Sequence, residues 1–321
     1  MDNKNNIKVS ISVAIYNTEE YLVKCLDSLS AQTLREIEII LVDDGSTDKS
    51  PEICDSYARR DERFRVIHKK NGGLSSARQA GLNSSCGEYV ITCDSDDWVE
   101  SDMIEKLYNQ VKIYNADIAI CGFCFEYSNG KSVPYQVVIN ERHGIIDNTE
   151  LLEKEIGSSC NKLVRRTLYE DTGAYYESGI NLGEDNLILY KLLLGNPRIT
   201  QIKANSYHYR RRLGENSYTN KVTMTSLKQL IYIYTWFNQN YPQSTFDAIR
   251  IRRAIDLAIT CLRTENLDHD FYRDFLREEL PWEKIIKSRN LMKACVVGMQ
   301  KICPLSLLKY CFNIIYPFLY R

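Results

Sequence analysis

After a polar start at Met1–Lys8, the chain runs apolar and β-branched over Val9–Ile15, which reads as a strand. Glu20–Ala31 follows with Tyr21, Leu22, Cys25, Leu26 and Leu29 at helical spacing. The alternation then repeats. Strands are predicted at Ile37–Val42, Phe64–His68, Glu88–Cys93 and Asp117–Phe125. Helices are predicted from Thr47 or Asp48 to Arg60, over Leu74–Ser85 and over Ser101–Asn115. Ile37–Val42 is nearly continuously apolar, as a strand covered on both faces should be. Strands joined by helices of this length predict an α/β fold with a mostly parallel sheet and right-handed crossovers.

The middle of the chain is mixed. Phe123–Ile139 carries Asn129-Gly130 between two β-like runs and predicts a hairpin. Thr149–Ile156 and Asp185–Leu194 read as helices, Ile199–Lys203 and Ser206–Tyr209 as short strands. From Thr225 the pattern is helical almost throughout. The expected organisation is a domain over residues 1–220 and a helical C-terminal region over 221–321, with no internal repeat or low-complexity tract.

Composition narrows the class. With 321 residues, 44% hydrophobic and 26% charged, the chain suits one large α/β domain plus an appendage. A net charge of −1 gives no reason to expect a nucleic-acid partner. Eleven cysteines at irregular spacing, with no secretory signal at the start, read as reduced thiols in a cytosolic protein. Cys121 and Cys124 have metal-like spacing, but they sit in an apolar run with no second pair, which favours a structural role. Four histidines without His-x-x-x-His spacing argue against a zinc enzyme.

The tail changes the picture. After Glu283 there is no acidic residue, while Lys284, Lys287, Arg289, Lys293, Lys301, Lys309 and Arg321 interrupt a strongly apolar stretch. No run reaches the ~18–20 uninterrupted apolar residues of a membrane span. Basic plus apolar character fits a segment lying in a membrane interface, which predicts a peripheral protein on the cytoplasmic face of the plasma membrane. The competing reading is a helical pair packed on the protein or on a second copy in a homo-oligomer.

The candidate chemistry gathers at strand ends. Asp94-Ser95-Asp96 follows Tyr89–Cys93, which places two carboxylates at the carboxyl edge of a sheet, where open α/β folds bind ligands. Such a pair can hold Mn²⁺ or Mg²⁺, and the cation can neutralise a diphosphate. Asp96 is the first choice of ligand, Asp94 assists directly, through water or by binding ribose, and His208 is a further candidate. Asp97 either joins this shell or caps the next segment.

Asp44, ending the second strand, can accept the imide N–H of a uracil ring, and Tyr16, ending the first, can stack beside it. Asp43 can hold the turn through an Asx bond. Asn71-Gly72-Gly73 resembles a phosphate loop without the Walker lysine, and its glycines permit close backbone approach. Arg78, a turn into the next helix, can reach a phosphate or sugar, or else lies exposed. Asn17, Glu19, Ser95 and Arg210 complete the donor-side candidates. Glu184 and Asp185 open the helix that follows Gly183. Either they answer the helix dipole, or Asp185 is a general base for an acceptor hydroxyl. In Tyr207–Arg212, the arginines can clamp a diphosphate, though three in a row cannot all face one site.

These stretches, Val9–Leu22, Ile39–Ser46, Asn71–Gly81 and Gly87–Trp98, together with Asn161-Lys162-Leu163 and Gly183-Glu184-Asp185, resemble the family 2 glycosyltransferases, inverting enzymes with the GT-A fold. The resemblance covers about residues 8 to 215. It implies Asp44 as the base-recognition acid, Asp94 and Asp96 as the metal motif, and Asp185 as the catalytic base. It further implies a nucleotide-sugar donor, such as a UDP-sugar, and a saccharide or lipid-linked saccharide acceptor in bacterial surface-polysaccharide synthesis. One departure is Ala14, where the family often has proline two residues before the tyrosine. The rival expectations are a nucleotidyltransferase, which would favour a glycine-rich, lysine-bearing loop that Ala14–Asn17 lacks, and a non-catalytic membrane-associated sugar-binding protein. An intact set of Asp44, Asp94, Asp96 and Asp185 argues against the latter.

Overall fold

The computed structural model of the chain describes residues 7–136, 141–153, 157–211, 223–242 and 244–263. It divides into two compact units, residues 1–215 and 216–321. The basic, apolar tail lies outside the described residues, as do the ends of the expected hairpin and of the helix at 149–156. Among the described residues no helix is long and apolar enough to cross a membrane.

The first unit is built on one mixed sheet. Strands β1 (Val9–Ile15), β2 (Ile37–Asp43), β3 (Phe64–His68) and β4 (Tyr89–Asp94) run parallel in the order β3-β2-β1-β4. Helices α1 (Glu19–Ser30), α2 (Ser50–Arg60) and α3 (Leu74–Ser84) connect them. Every residue of β2 is buried, because the sheet is covered on both sides. The alternation is visible in the packing. Ile39 and Leu41 enter the large core with Leu22, Cys25, Leu26 and Leu29 of α1. Ile40 and Val42 turn the other way to meet Ala77 of α3. Helix α3 lies close on β1 at Gly81, where a Cβ would fall 1.8 Å from Ser12 Oγ.

Beyond β4 the sheet departs from a simple parallel pattern. After β5 (Trp98–Val99) and α4 (Met103–Tyr114) come β6 (Ile118–Tyr127) and β7 (Ser132–Tyr135). Strands β6 and β7 form the expected hairpin, with Phe123 opposite Tyr135. A short pair, β8 (Glu141–Arg142) and β9 (Ile145–Ile146), precedes α5 (Asn148–Glu153). Strand β10 (Lys162–Arg165), which the hydrophobic pattern does not announce, wedges antiparallel between β4 and β6. Helices α6 (Arg166–Thr172) and α7 (Glu184–Leu193) follow.

The two short strands expected at 199–203 and 206–209 are one long strand, β11 (Ile199–Arg211), parallel to β6. The register shifts between Gln201 and Asn205 and between Asn205 and Tyr207, so the polar break in the pattern is an irregularity within a strand.

In the second unit, helices α8 (Met224–Asn240) and α9 (Asp247–Arg263) account for the helical pattern as far as it is described. Thr223 caps α8 by accepting from the Ser226 amide at 3.2 Å. Phe237 stacks on Tyr241, with ring centroids 4.7 Å apart. Eight cysteines among the described residues are free thiols. Cys121 is buried and Cys124 half-buried, three apart on β6 and thus on opposite faces.

Candidate active site

The carboxyl ends of β1, β2 and β4 share one sheet edge, and the turns that follow brace one another. Asn17 takes a left-handed backbone at φ 50°, where its amide donates to Ser46 Oγ at 3.1 Å and its side chain accepts from the Thr47 amide at 2.8 Å. Glu19 accepts from the Lys49 amide at 2.8 Å, and its own amide donates to Asp48 at 2.9 Å. Asn17 and Glu19 therefore tie the first turn to the second. Tyr16 stays 51% exposed between them, its ring available for stacking. Asp43 forms the expected turn bond, accepting from the Ser46 amide at 2.9 Å, and meets His68 Nδ1 at 2.9 Å.

Asp44 is buried and organises the glycine loop. Its carboxylate accepts from the Gly72 amide at 3.0 Å, the Gly73 amide at 2.8 Å and the Lys69 ammonium. The loop depends on Gly73, which sits at φ +85° with Asn181 Nδ2 2.6 Å from where a Cβ would stand.

Helix α3 then carries Arg78 inward. The arginine is 2% exposed, so it is not the exposed residue of a plain helix entry. One terminal nitrogen, Nη2, donates to Asp94 Oδ1 at 2.8 Å. The other, Nη1, donates to Glu184 at 2.8 Å and to Asp185 at 2.6 Å. A single guanidinium thus joins the acid at the end of β4 to both acids at the start of α7. These ion pairs hold the arginine firmly protonated against its burial.

Three carboxylates around one guanidinium leave the cluster short of positive charge. The most buried of them, Glu184, answers by holding its proton: burial and the neighbouring Asp185 push it up to about 8, against the pull of Arg78. A carboxyl raised in the folded state contributes stability that is complete below its unfolded value and is lost as pH rises through its folded one. Glu184→Gln, which fixes the neutral form, should therefore fold, and its stability should vary less than wild type's between pH 4.5 and about 8. Urea titrations of both proteins across that range check this. A variant that tracks wild type would show that Glu184 does not carry the proton.

The Asp94–Asp97 turn is pinned by a residue that no local sequence signal marks. Tyr207, fully buried on β11, accepts from the Asp94 amide at 3.1 Å and donates to Asp97 at 2.8 Å. Asp97 also accepts from the Arg210 amide at 2.8 Å, and burial beside Asp96 and Asp94 pushes its carboxyl well up. It belongs to the wall of the turn. Asp94 and Asp96 are half-buried. Ser95 is buried and accepts from Thr18 Oγ1 at 3.0 Å. Arg210 reaches the same turn, donating from Nε to the Asp96 carbonyl at 2.9 Å, with its guanidinium over Tyr21 and Trp98. Arg211 turns away onto Phe125 and Tyr209, and Arg212 lies outside the described residues.

His208 is not brought to the two aspartates. Alternation along β11 sends it to the face opposite Tyr207. There its ring stacks on Trp98, with Nδ1 at Glu126 (2.8 Å) and Nε2 at Glu100 (2.9 Å).

Asp185 faces the turn before β10, where Ser159 Oγ donates to the carboxylate that Arg78 also holds. In the same turn Cys160 Sγ lies 3.2 Å from Asp94 Oδ2. Lys69, Ser159 and Cys160 join the candidate site through these contacts, and no local motif marks them. Each is defined by a partner far away in the chain.

Fold and site define the class. Residues 10–173 match the model described as Glycosyl transferase family 2, and the chain belongs to that family. Its sheet and flanking helices form the GT-A fold: TarS residues 1–349 of S. aureus in complex with UDP-GlcNAc superposes with a TM-score of 0.74, covering 95% of this chain and 91% of that one at 22% identity. At that identity the likeness speaks for the fold. Among curated relatives, glycosyltransferase GlyA of Streptococcus pneumoniae serotype 4 is 36% identical over 222 residues, 65% of this chain and 31% of its own length. Glycosyltransferase EpsJ of Bacillus subtilis (strain 168) is 38% identical over 208 residues, 63% of this chain and 60% of its own length. The chain thus spans less than two thirds of the length of either relative.

Proposed function

We propose that this protein is an inverting glycosyltransferase that moves a sugar from a UDP-sugar to a hydroxyl of a saccharide acceptor, lipid-linked, in polysaccharide synthesis. The observation that carries the reading is the Arg78 bridge. It fixes a donor-side acid, Asp94, and a base candidate, Asp185, on one buried cation. A single displacement needs this pairing: something to hold the diphosphate and, close by, a carboxylate to take a proton. The acceptor O–H gives its proton to Asp185 as the oxygen attacks the anomeric carbon. The bond from that carbon to the diphosphate breaks on the opposite side, and its electron pair leaves with UDP. One displacement inverts the configuration and needs one base, not a nucleophilic pair.

Each remaining candidate has a place in this scheme. Tyr16 would stack on the uracil. Asp44 shapes the base side through the loop it holds, and its contact to the imide N–H requires it to trade one of its present donors. Arg210, seated on the Asp94–Asp97 turn, stands on the diphosphate side. The solved complex of TarS with UDP-GlcNAc supports a nucleotide-sugar donor through shared fold.

The residues suit a divalent cation. The cluster is deficient in positive charge, and Asp94 Oδ2 is met by a thiol, a weak donor. Asp94 and Asp96 would hold Mn²⁺ or Mg²⁺, which would supply charge neutralisation at the diphosphate. Asp96→Ala should therefore weaken UDP binding in Mn²⁺ by about tenfold or more, roughly 1.4 kcal/mol. Titration calorimetry with UDP, with and without Mn²⁺, measures this directly. Unchanged Mn²⁺-dependent affinity in the variant would remove Asp96 from the site.

The nucleotidyltransferase alternative gains nothing from the structure. The turn after β1 spends its backbone and side chains on the second turn, not on a cradle for phosphates.

A further inference from the structure

Asn161-Lys162-Leu163 is the one motif left without a task, and Lys162 is an odd residue to bury. Its ammonium donates to the Ser158 carbonyl and, at 3.0 Å, to Asn161 Oδ1. Asn161 is itself anchored on β6, its Nδ2 donating to the Cys121 carbonyl at 2.7 Å and its carbonyl accepting from the Cys121 amide at 3.1 Å. Leu163 is fully buried in the core. The motif is thus a rigid post on the sheet, and the lysine reaches from it to the backbone of the turn at 158–160.

That turn touches both halves of the site. Ser159 Oγ donates to Asp185, and Cys160 Sγ meets Asp94. Lys162 and Asp185 also line one small cavity, with Ser159, Tyr169, Ile188 and Leu189. Lys162 sits 3% exposed, where an apolar side chain would cost less than a cation. Burial lowers the ammonium to about 8, against the attraction of Asp185. A purely structural strut would not require a charge here.

We propose that Lys162 is a positioning residue for the catalytic base: it holds the 158–160 turn so that Ser159 orients the Asp185 carboxylate, and it places a positive charge on the cavity that this carboxylate shares. The inference rests on the reading of Asp185 as the base.

The test compares wild type, Lys162→Met, Ser159→Ala, the double variant and Asp185→Asn. Turnover is followed as hydrolysis of UDP-glucose, UDP-galactose, UDP-GlcNAc and UDP-GalNAc with Mn²⁺, on whichever donor wild type uses fastest. UDP affinity in Mn²⁺ is measured alongside. Lys162→Met should lower kcat by up to about a hundredfold, the cost of displacing a reacting group by ~1 Å, while UDP affinity stays within a few fold. Ser159→Ala should act in the same direction. The double variant should lose little beyond the worse single one, because both changes act through one contact.

Wild-type turnover in Lys162→Met, a loss that tracks UDP affinity, or independent losses that multiply in the double variant would each overturn the proposal. If Lys162→Met does not fold, Ser159→Ala still decides: wild-type turnover there means that the turn has no hold on the base. Full activity in Asp185→Asn is a different failure, since it removes the base itself.

Discussion

Asp185→Asn is expected to keep the donor slot and to slow sugar transfer by about 10²–10⁴-fold, the contribution of a positioned general base. The substitution preserves shape. An asparagine can still accept from Ser159 and Arg78, and Arg78 retains its pairs with Asp94 and Glu184. It loses only the basic carboxylate. UDP affinity in Mn²⁺ should therefore stay near wild type while kcat collapses, the signature of an interaction made in the transition state alone. Kinetics on the preferred donor, paired with calorimetry, separate the two quantities. A fully active Asp185→Asn would dismiss Asp185 as the base.

The second large effect concerns Arg78. Arg78→Met keeps much of the side-chain volume but strands Asp94, Glu184 and Asp185 around a buried methyl group. Breaking a buried ion pair from one side costs about 3–5 kcal/mol, because the remaining charges are uncompensated. Against a total stability of roughly 5–15 kcal/mol this is a severe loss, and urea unfolding should show it clearly. Donor turnover should vanish with it. Adding Asp185→Asn should recover part of the stability, because it removes one of the stranded charges, whereas Glu184→Gln should recover little, since Glu184 already holds its proton. An Arg78→Met protein as stable as wild type would mean that the three acids do not depend on this cation.

Much of the frame was legible in the sequence because its signals are local. Val9–Ile15, Ile37–Asp43 and Tyr89–Asp94 announce themselves as apolar runs, and the acids and glycines that matter stand where those runs end. Strand β10 was not legible. Four residues that include a lysine and an arginine carry no period, and the strand exists because β4 and β6 leave a gap between them. β11 read as two strands because its irregularity falls on polar residues.

The candidate site shows the same division. The acids at strand and helix ends could be found from their neighbours. The burial of Arg78 could not, because its partners come from two separate parts of the chain, at Asp94 and at Glu184 with Asp185. Tyr207 escaped for the same reason: its hydroxyl gains meaning only when β11 passes beside the Asp94–Asp97 turn. His208 looked like a ligand by residue type alone, and strand alternation sends it to Glu100 and Glu126.

On the proposed function, Arg78 gathers a cation-dependent donor site and a base into one machine for sugar transfer. The most direct measurement is release of UDP from a panel of UDP-sugars by the purified protein, with Mn²⁺ and again with excess chelator. One donor should stand out, and its signal should disappear in chelator. Undiminished release in chelator, or silence across the panel from a protein that also fails to bind UDP, would contradict the account.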